Sequence, residues 1–314
     1  MRFIAREEID ALHLDDAMLV DALRQAFQAS SAGEIAMKPK STVSQPDGAF
    51  QISTLAAWPK RNLGIFHSIL GAPPANLAPG EAHYRSYQLV TNYERGTARA
   101  VVDGSFTSTM LPAGVTALAA QALARADSRI ATFIGAGLQT RVNLAALRGL
   151  FPLEEVRILG RSAANAEALA REIAASGLKA SVTGDAEAAI SGADIIVSTV
   201  PSGPHLVPFL EPSWVSPGAF VSAVDLGRSW RDGFEAFDRV ISDDRAQAAV
   251  QHAEGRLRYG GSYDSELPEL VTGQRPPRQD AKERIVLIHP GNIVGVMAIT
   301  ALILDRLPSL QAAA

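Results

Sequence analysis

The sequence predicts an α/β protein built on a doubly wound parallel sheet, preceded by a segment of strands and turns. Three observations carry this. From about residue 113, short apolar runs alternate with helical periodicities, the pattern of parallel strands joined by crossover helices. One of those runs enters a Gly-x-Gly turn that opens a helix. The length of 314 residues suggests about two domains at roughly 150 residues each.

Taken in order, Ile9, Leu12, Met18, Leu19, Leu23, Ala26 and Phe27 recur at helical spacing and predict one or two amphipathic helices between Glu7 and Ser30. Residues from about 40 to 104 read as strands and turns. Pro46-Asp47-Gly48 is a turn signal, and Tyr87 to Thr91 pairs with Ala98 to Val102 through Glu94-Arg95-Gly96. Asp103-Gly104 marks another turn. Ala113 to Arg125 is an alanine-rich helix, followed by a strand at Ile130 to Ile134 and a helix at Gln139 to Arg148. A strand at Val156 to Leu159 and a helix at Ala163 to Ala175 come next. Further strands fall at Ala180 to Val182, Ile195 to Thr199, Phe220 to Val224 and Arg239 to Ser242. A last helix runs from about Asn292 to Leu307.

Composition narrows the function. Hydrophobic residues make up 47% of the chain and charged residues 20%, enough apolar surface for a full core. The 29 basic and 33 acidic side chains leave a net charge of −4, so no basic excess points to nucleic acid or a membrane surface. There is no cysteine, which excludes disulfides, thiolate nucleophiles and Cys-ligated metals. The six histidines include no HxH or HxxxH spacing, so no dedicated metal site is expected. The N-terminus, Met1-Arg2-Phe3-Ile4-Ala5-Arg6-Glu7-Glu8, is charged within a few residues and lacks the apolar core and small-residue cleavage site of a signal peptide. The longest apolar run, Ile285 to Leu304, is broken by His289-Pro290-Gly291-Asn292. A cytoplasmic location is the default expectation.

The sharpest local signal is Phe133-Ile134-Gly135-Ala136-Gly137-Leu138-Gln139-Thr140. A strand entering Gly-x-Gly and then a helix suits a dinucleotide. Gly135 permits the tight turn. Gly137 lets a pyrophosphate approach the helix N-terminus, where Leu138 and Gln139 begin the first turn. Thr140 stands where the usual fingerprint has a third glycine. After the second strand comes Gly160-Arg161-Ser162. The acidic side chain that grips an NAD ribose is replaced by Gly160, and Arg161 with Ser162 suits a 2′-phosphate, so NADP is favoured over NAD. Strand ends line the ligand crevice of such sheets. That places Thr199, Val200 and Pro201, and Val224 with Gly227, beside the cofactor.

The order of motifs resembles the ornithine cyclodeaminase/mu-crystallin family. The markers are Met37-Lys38-Pro39-Lys40-Ser41, Arg99-Ala100-Val101-Val102-Asp103-Gly104, Ala119 to Arg125, Ile134 to Thr140, Ala193 to Ser202, and Ile241 to Gln247. The resemblance implies a Rossmann domain, residues 113–287, inserted in a discontinuous α+β domain for substrate binding and dimerisation, residues 1–112 plus 288–314. It also implies a homodimer and nicotinamide-dependent chemistry at the Cα–N bond of an amino or imino acid. One outcome is conversion of ornithine to proline and ammonia, and another is reduction of a cyclic ketimine such as a pyrroline carboxylate. A non-catalytic NADPH-dependent ligand binder of the mu-crystallin kind is the alternative.

Several side chains depart from what the resemblance implies. Lys40 stands in for a carboxylate-binding arginine, Phe66 fills the slot of a catalytic lysine, and Met110 that of a phosphate-contacting arginine. Gapless alignment puts Gly227 at the acid/base aspartate and leaves Asp225 two residues early. Ile288-His289-Pro290 replaces a Phe-Lys-Ser-like entry to the last helix. The remaining candidates for catalysis are Asp225 as acid/base, emerging at the crevice; His67, whose pKa lies near neutrality; and Lys40 as carboxylate anchor. His289, Arg228 and Trp230 are weaker candidates.

Overall fold

The computed structural model describes residues 1–78, 81–201 and 206–307. The chain divides into two compact units, one formed by Met1–Leu111 with the chain from Asn292 on, the other by Pro112–Gly291. The first unit opens with β1 (Arg2–Ile4), α1 (Arg6–Asp10), α2 (Asp16–Ser31), β2 (Ala36–Met37) and β3 (Ser41–Ser44). It continues with β4 (Phe50–Trp58), β5 (Leu63–Gly71), β6 (Tyr84–Asn92) and β7 (Ala98–Asp103). The division between units falls within α3 (Ser105–Leu123), at Pro112. The second unit adds β8 (Ile130–Ile134), α4 (Leu138–Arg148), β9 (Glu155–Leu159), α5 (Ala163–Ala175), β10 (Lys179–Val182) and α6 (Ala186–Ile190). Then come β11 (Ile195–Ser198), β12 (Phe220–Ala223), β13 (Arg239–Ser242), α7 (Arg245–Ala253), β14 (Ser265–Glu266), α8 (Leu267–Val271) and β15 (Ile285–Ile288). The chain ends its described course in α9 (Ile293–Arg306).

In the first unit the sheet order is β1-β7-β6-β5-β4-β2, with β3 on β4. All neighbours are antiparallel except β1, which joins β7 in parallel. That three-residue strand was too short to read from the sequence. Asp15 caps α2 by accepting from the Met18 N–H at 2.8 Å. Leu19, Leu23, Ala26 and Phe27 on α2 are buried, and α2 packs on α9 and α9 on β4 and β5. Side chains alternate across a strand. The core face therefore carries Thr54, His67, Gln88, Val102 and Ile4 in one row, by cross-strand pairing. The opposite face carries Leu55, Phe66, Leu89, Val101 and Phe3 in the matching row. Leu55 and Phe3 are each 52% exposed and Phe66 42%.

The second unit holds a wholly parallel sheet of order β10-β9-β8-β11-β12-β15-β13-β14. β8 and β11 are neighbours where the winding reverses, which is the switch point at which such sheets bind ligands. β15 lies between β12 and β13. In the sequence its residues open the interrupted apolar run Ile285 to Leu304, yet Ile285, Val286, Leu287 and Ile288 are fully buried inside the sheet. Strands covered on both faces read as continuous apolar runs, without alternation. No helix of the described residues is long and apolar enough to cross a membrane.

Candidate functional site

The loop after β8 is built by backbone geometry. Gly135 has φ +124°, a conformation open to glycine, and a Cβ there would lie 2.4 Å from Thr199 Oγ1. The loop is pinned on both sides: Gly135 N–H donates to Leu159 O and Thr199 N–H to Ile134 O, each at 2.8 Å. Gly137 is the N-cap of α4 and offers no side chain to cap it, and a Cβ there would meet nothing within 4 Å. Thr140 accounts for the missing third glycine. Its buried hydroxyl donates to Gly135 O at 2.9 Å and ties the helix to the turn.

Above this loop lies a cavity of about 820 Å³ within the second unit, a volume usual for cofactor sites. It is lined by residues 134–137, 159–162 and 199–201, with Asn165, Gly184, Ala186, Leu206 and Phe209. Gly135, Gly137, Arg161, Ser162, Thr199, Val200 and Pro201 thus share one wall. Leu138, Gln139, Val224 and Gly227 are not part of that lining. Leu138 turns its side chain to solvent and Gly227 is buried beside Phe234. Asn165, Gly184 and Ala186 were not singled out from the sequence. The signal for them was positional: the first turn of α5 and the stretch after β10. At Gly160 a Cβ would come within 3.1 Å of Ala166 Cβ and 3.2 Å of Ala136 Cβ, so a longer side chain there is crowded. Ser162 accepts from Asn165 N–H as the N-cap of α5, and Arg161 is exposed.

Asp225 follows β12 but does not emerge at the crevice. It is 4% exposed, and its carboxylate is turned inward. Oδ1 accepts from Ser198 Oγ at 2.8 Å and from Gly227 N–H at 3.1 Å, and Oδ2 accepts from Ser229 Oγ at 2.5 Å. Trp230 Nε1 donates to Ser198 Oγ at 3.0 Å. Burial raises the Asp225 pKa, opposed by the bonds from Ser229, Ser198 and Gly227 and by the Arg228 charge. The turn holds Leu226 at φ +62° and Gly227 at φ +69°. Arg228 is half-buried, and Trp230 is a core side chain.

In the first unit, His67 Nε2 meets Ser86 Oγ at 2.8 Å. Its pKa is lowered to about 4, first by burial and then by the charge of Lys40. The imidazole is therefore neutral at pH 7, and Lys40, half-buried just before β3, is its electrostatic neighbour. Gln88 lies across from His67, 0% exposed, and neither end of its amide has a partner. His289 lies in the second unit. Its Nε2 meets Ser222 Oγ at 2.7 Å, which in turn meets Thr116 Oγ1 at 2.8 Å. Burial lowers the His289 pKa to about 3. Among the described residues no cluster of three or more His, Asp or Glu could hold a metal ion.

The family model described as the ornithine cyclodeaminase/mu-crystallin family matches residues 2–309. The chain belongs to this family. The ketimine reductase mu-crystallin of Mus musculus is 27% identical over 87% of this chain and 88% of its own. The Δ1-pyrroline-2-carboxylate reductase of Thermococcus litoralis, solved with NADH and L-proline, superposes with a TM-score of 0.86 at 20% identity, covering 100% of this chain and 98% of its own. An archaeal alanine dehydrogenase dimer with bound NAD gives a TM-score of 0.85 at 22% identity, covering 99% and 97%.

The structure places the family-slot departures differently. Phe66 projects from the open face of the sheet, and His67 from the core face. His67 therefore shares the side of the sheet that carries Gln88 and Ser86. Met110 is half-buried in α3. Burial sets the direction of both the Asp225 and His289 shifts, and their hydrogen-bond partners are Ser198 and Ser229 for Asp225 and Ser222 for His289. Burial and these pairings are visible only in the folded chain.

Proposed function

We propose that this family member binds a nicotinamide nucleotide at the Gly135–Gly137 loop, NADP in preference to NAD, and reduces the C=N bond of a small imino acid. A cyclic ketimine such as a pyrroline carboxylate is the substrate class favoured. The observation that carries this is the cavity at the sheet's switch point, floored by Gly137 with no side chain near it. A pyrophosphate would rest against the N-terminus of α4. Arg161, Ser162 and Asn165 stand where a 2′-phosphate would lie, and Gly160 offers no acidic side chain of the kind NAD enzymes use, in a place where a Cβ would already be crowded.

When bound, the reduced cofactor supplies the hydride. Lys40 anchors the substrate carboxylate as a point charge. His67, neutral, contributes a hydrogen-bonding group. A cyclic ketimine that arrives protonated needs only hydride at its carbon, the π pair returning to nitrogen. Ornithine cyclisation also needs an amine deprotonated and ammonia expelled. With Phe66 and Gly227 at the family's lysine and aspartate slots, and Asp225 buried in three hydrogen bonds, reduction is the reaction that asks least of this chain. The apolar row Leu55-Phe66-Leu89-Val101-Phe3 supports a homodimer formed through the open sheet face. The scarcity of reactive side chains also favours a second reading, an NADPH-dependent ligand binder without turnover.

NADPH consumption with a panel of cyclic ketimines, and proline formation from ornithine, test these readings. Ketimine-dependent NADPH oxidation that Lys40→Met weakens through KM is the expected result. Proline from ornithine without ketimine reduction would replace the reductase with the cyclodeaminase. NADPH binding without turnover across the panel would establish the binder.

A further inference from the structure

We infer that Asp225 is a positioning residue: its carboxylate fastens two separate stretches of the nucleotide cavity wall to the loop after β12. This rests on the reading of that cavity as the nucleotide site. The first stretch, residues 199–201, follows directly on Ser198, whose hydroxyl donates to Oδ1. The second includes Leu206 and Phe209. Its far end is held by Ser229, whose carbonyl accepts from both Phe209 N–H and Leu210 N–H at 2.9 Å, while its hydroxyl donates to Oδ2. Arg231 N–H returns to Leu210 O at 2.8 Å. Each carboxylate oxygen thus serves one stretch, and Gly227 N–H on Oδ1 locks the left-handed turn between them.

The chemistry of the carboxylate fits a clamp. Ser198, Ser229 and Gly227 all present protons to it, and a carboxylate accepts at both oxygens. An amide at 225 would replace one acceptor by an NH₂ donor. With its oxygen kept toward Ser198 and Gly227, the amide turns its NH₂ to Ser229 Oγ, whose hydroxyl can then accept there but no longer donate. Three of its roughly four lone-pair sites are taken in this way, and the residue is only 4% exposed.

The experiment compares the full-length wild type with Asp225→Asn, Ser229→Ala and Ser198→Ala. NADPH and NADH Kd are measured by fluorescence titration, with thermal melts, cofactor KM, kcat at saturating cofactor and its pH profile. The clamp predicts NADPH Kd and cofactor KM raised about tenfold in Asp225→Asn and several-fold in the serine variants, in keeping with the loss of hydrogen bonds to a charged group. It predicts kcat at saturating NADPH within about twofold and a pH profile of unchanged shape. Should Asp225→Asn not fold, the two serine variants carry the test. Melting temperatures lowered with Kd unchanged would overturn the inference in favour of mere structural support. A loss of about 10² or more in kcat at constant Kd, with one limb of the pH profile gone, would overturn it in favour of acid/base catalysis. A wild type that binds neither nucleotide refutes the site reading, and the inference with it. A wild type that binds NADPH while all three variants bind equally well refutes the inference alone.

Discussion

Gly135 and Gly137 stand two residues apart, and the structure gives them different tasks. At Gly137 the backbone is extended, with φ −109° and ψ −163°, and a Cβ would touch nothing within 4 Å. Gly137→Ala should therefore leave folding stability within about 0.5 kcal/mol of wild type. The new methyl would project instead into the space where the proposed pyrophosphate would meet the amides of α4. Losing one charge-assisted hydrogen bond there costs about 1.5–3 kcal/mol, or roughly ten- to a hundredfold in Kd. At Gly135, φ is +124° and the Cβ would sit 2.4 Å from Thr199 Oγ1. Gly135→Ala incurs about 1–3 kcal/mol of backbone strain. It adds about 1 kcal/mol as Thr199 Oγ1 gives up its 3.1 Å bond to Ile134 O. Urea unfolding of the apoprotein and NADPH titration separate the two effects. Gly135→Ala should lose about 2–4 kcal/mol of stability, and Gly137→Ala should lose affinity alone. If Gly137→Ala binds NADPH as the wild type does, no phosphate lies against this turn and the argument for the site fails.

Other perturbations test other parts of the molecule. Arg161→Ala should weaken NADPH binding about tenfold or more and leave NADH binding unchanged, by parallel titrations; equal effects on both would remove Arg161 from 2′-phosphate recognition. Phe66→Arg on the open sheet face should convert a dimer to a monomer in sedimentation at micromolar concentration, and a monomeric wild type would contradict the dimer. His289 titrates at about 3 in the folded protein against 6.5 when unfolded. Between those values the unfolded chain holds more protons, so stability falls as pH falls. The loss from this residue should reach about 1.6 kcal/mol between about pH 6.5 and 5, by urea midpoints at each pH. His289→Asn should flatten that slope, while His67, at about 4, adds a similar loss of its own.

Much of the second unit was legible in the sequence because its signals are local. The strands at Ile130–Ile134 and Arg239–Ser242 declare themselves as short apolar runs, and the helix at Ala163–Ala175 by its own apolar period. Gly135 and Gly137 announce the turn because a backbone constraint needs only the residue at that position. The side of the cavity formed by Arg161, Ser162 and Thr199 followed from strand ends alone.

What the sequence left open is set by contacts between distant residues. Strand alternation says that Phe66 and His67 face opposite ways, but not which face α2 and α9 cover. Asp225 reads as a crevice carboxylate until Ser198, 27 residues earlier, and Ser229 close it in. Ile285–Ile288 reads only as the start of an interrupted apolar run, and its place as a strand appears when β12 and β13 take it between them. The Gly135 turn, the helical periodicities and the pairing of Tyr87–Thr91 with Ala98–Val102 could be read without the fold, since they depend on neighbours along the chain. Which polar groups are buried, which are paired and which remain neutral emerged with the folded chain, because burial is a property of everything packed around a side chain.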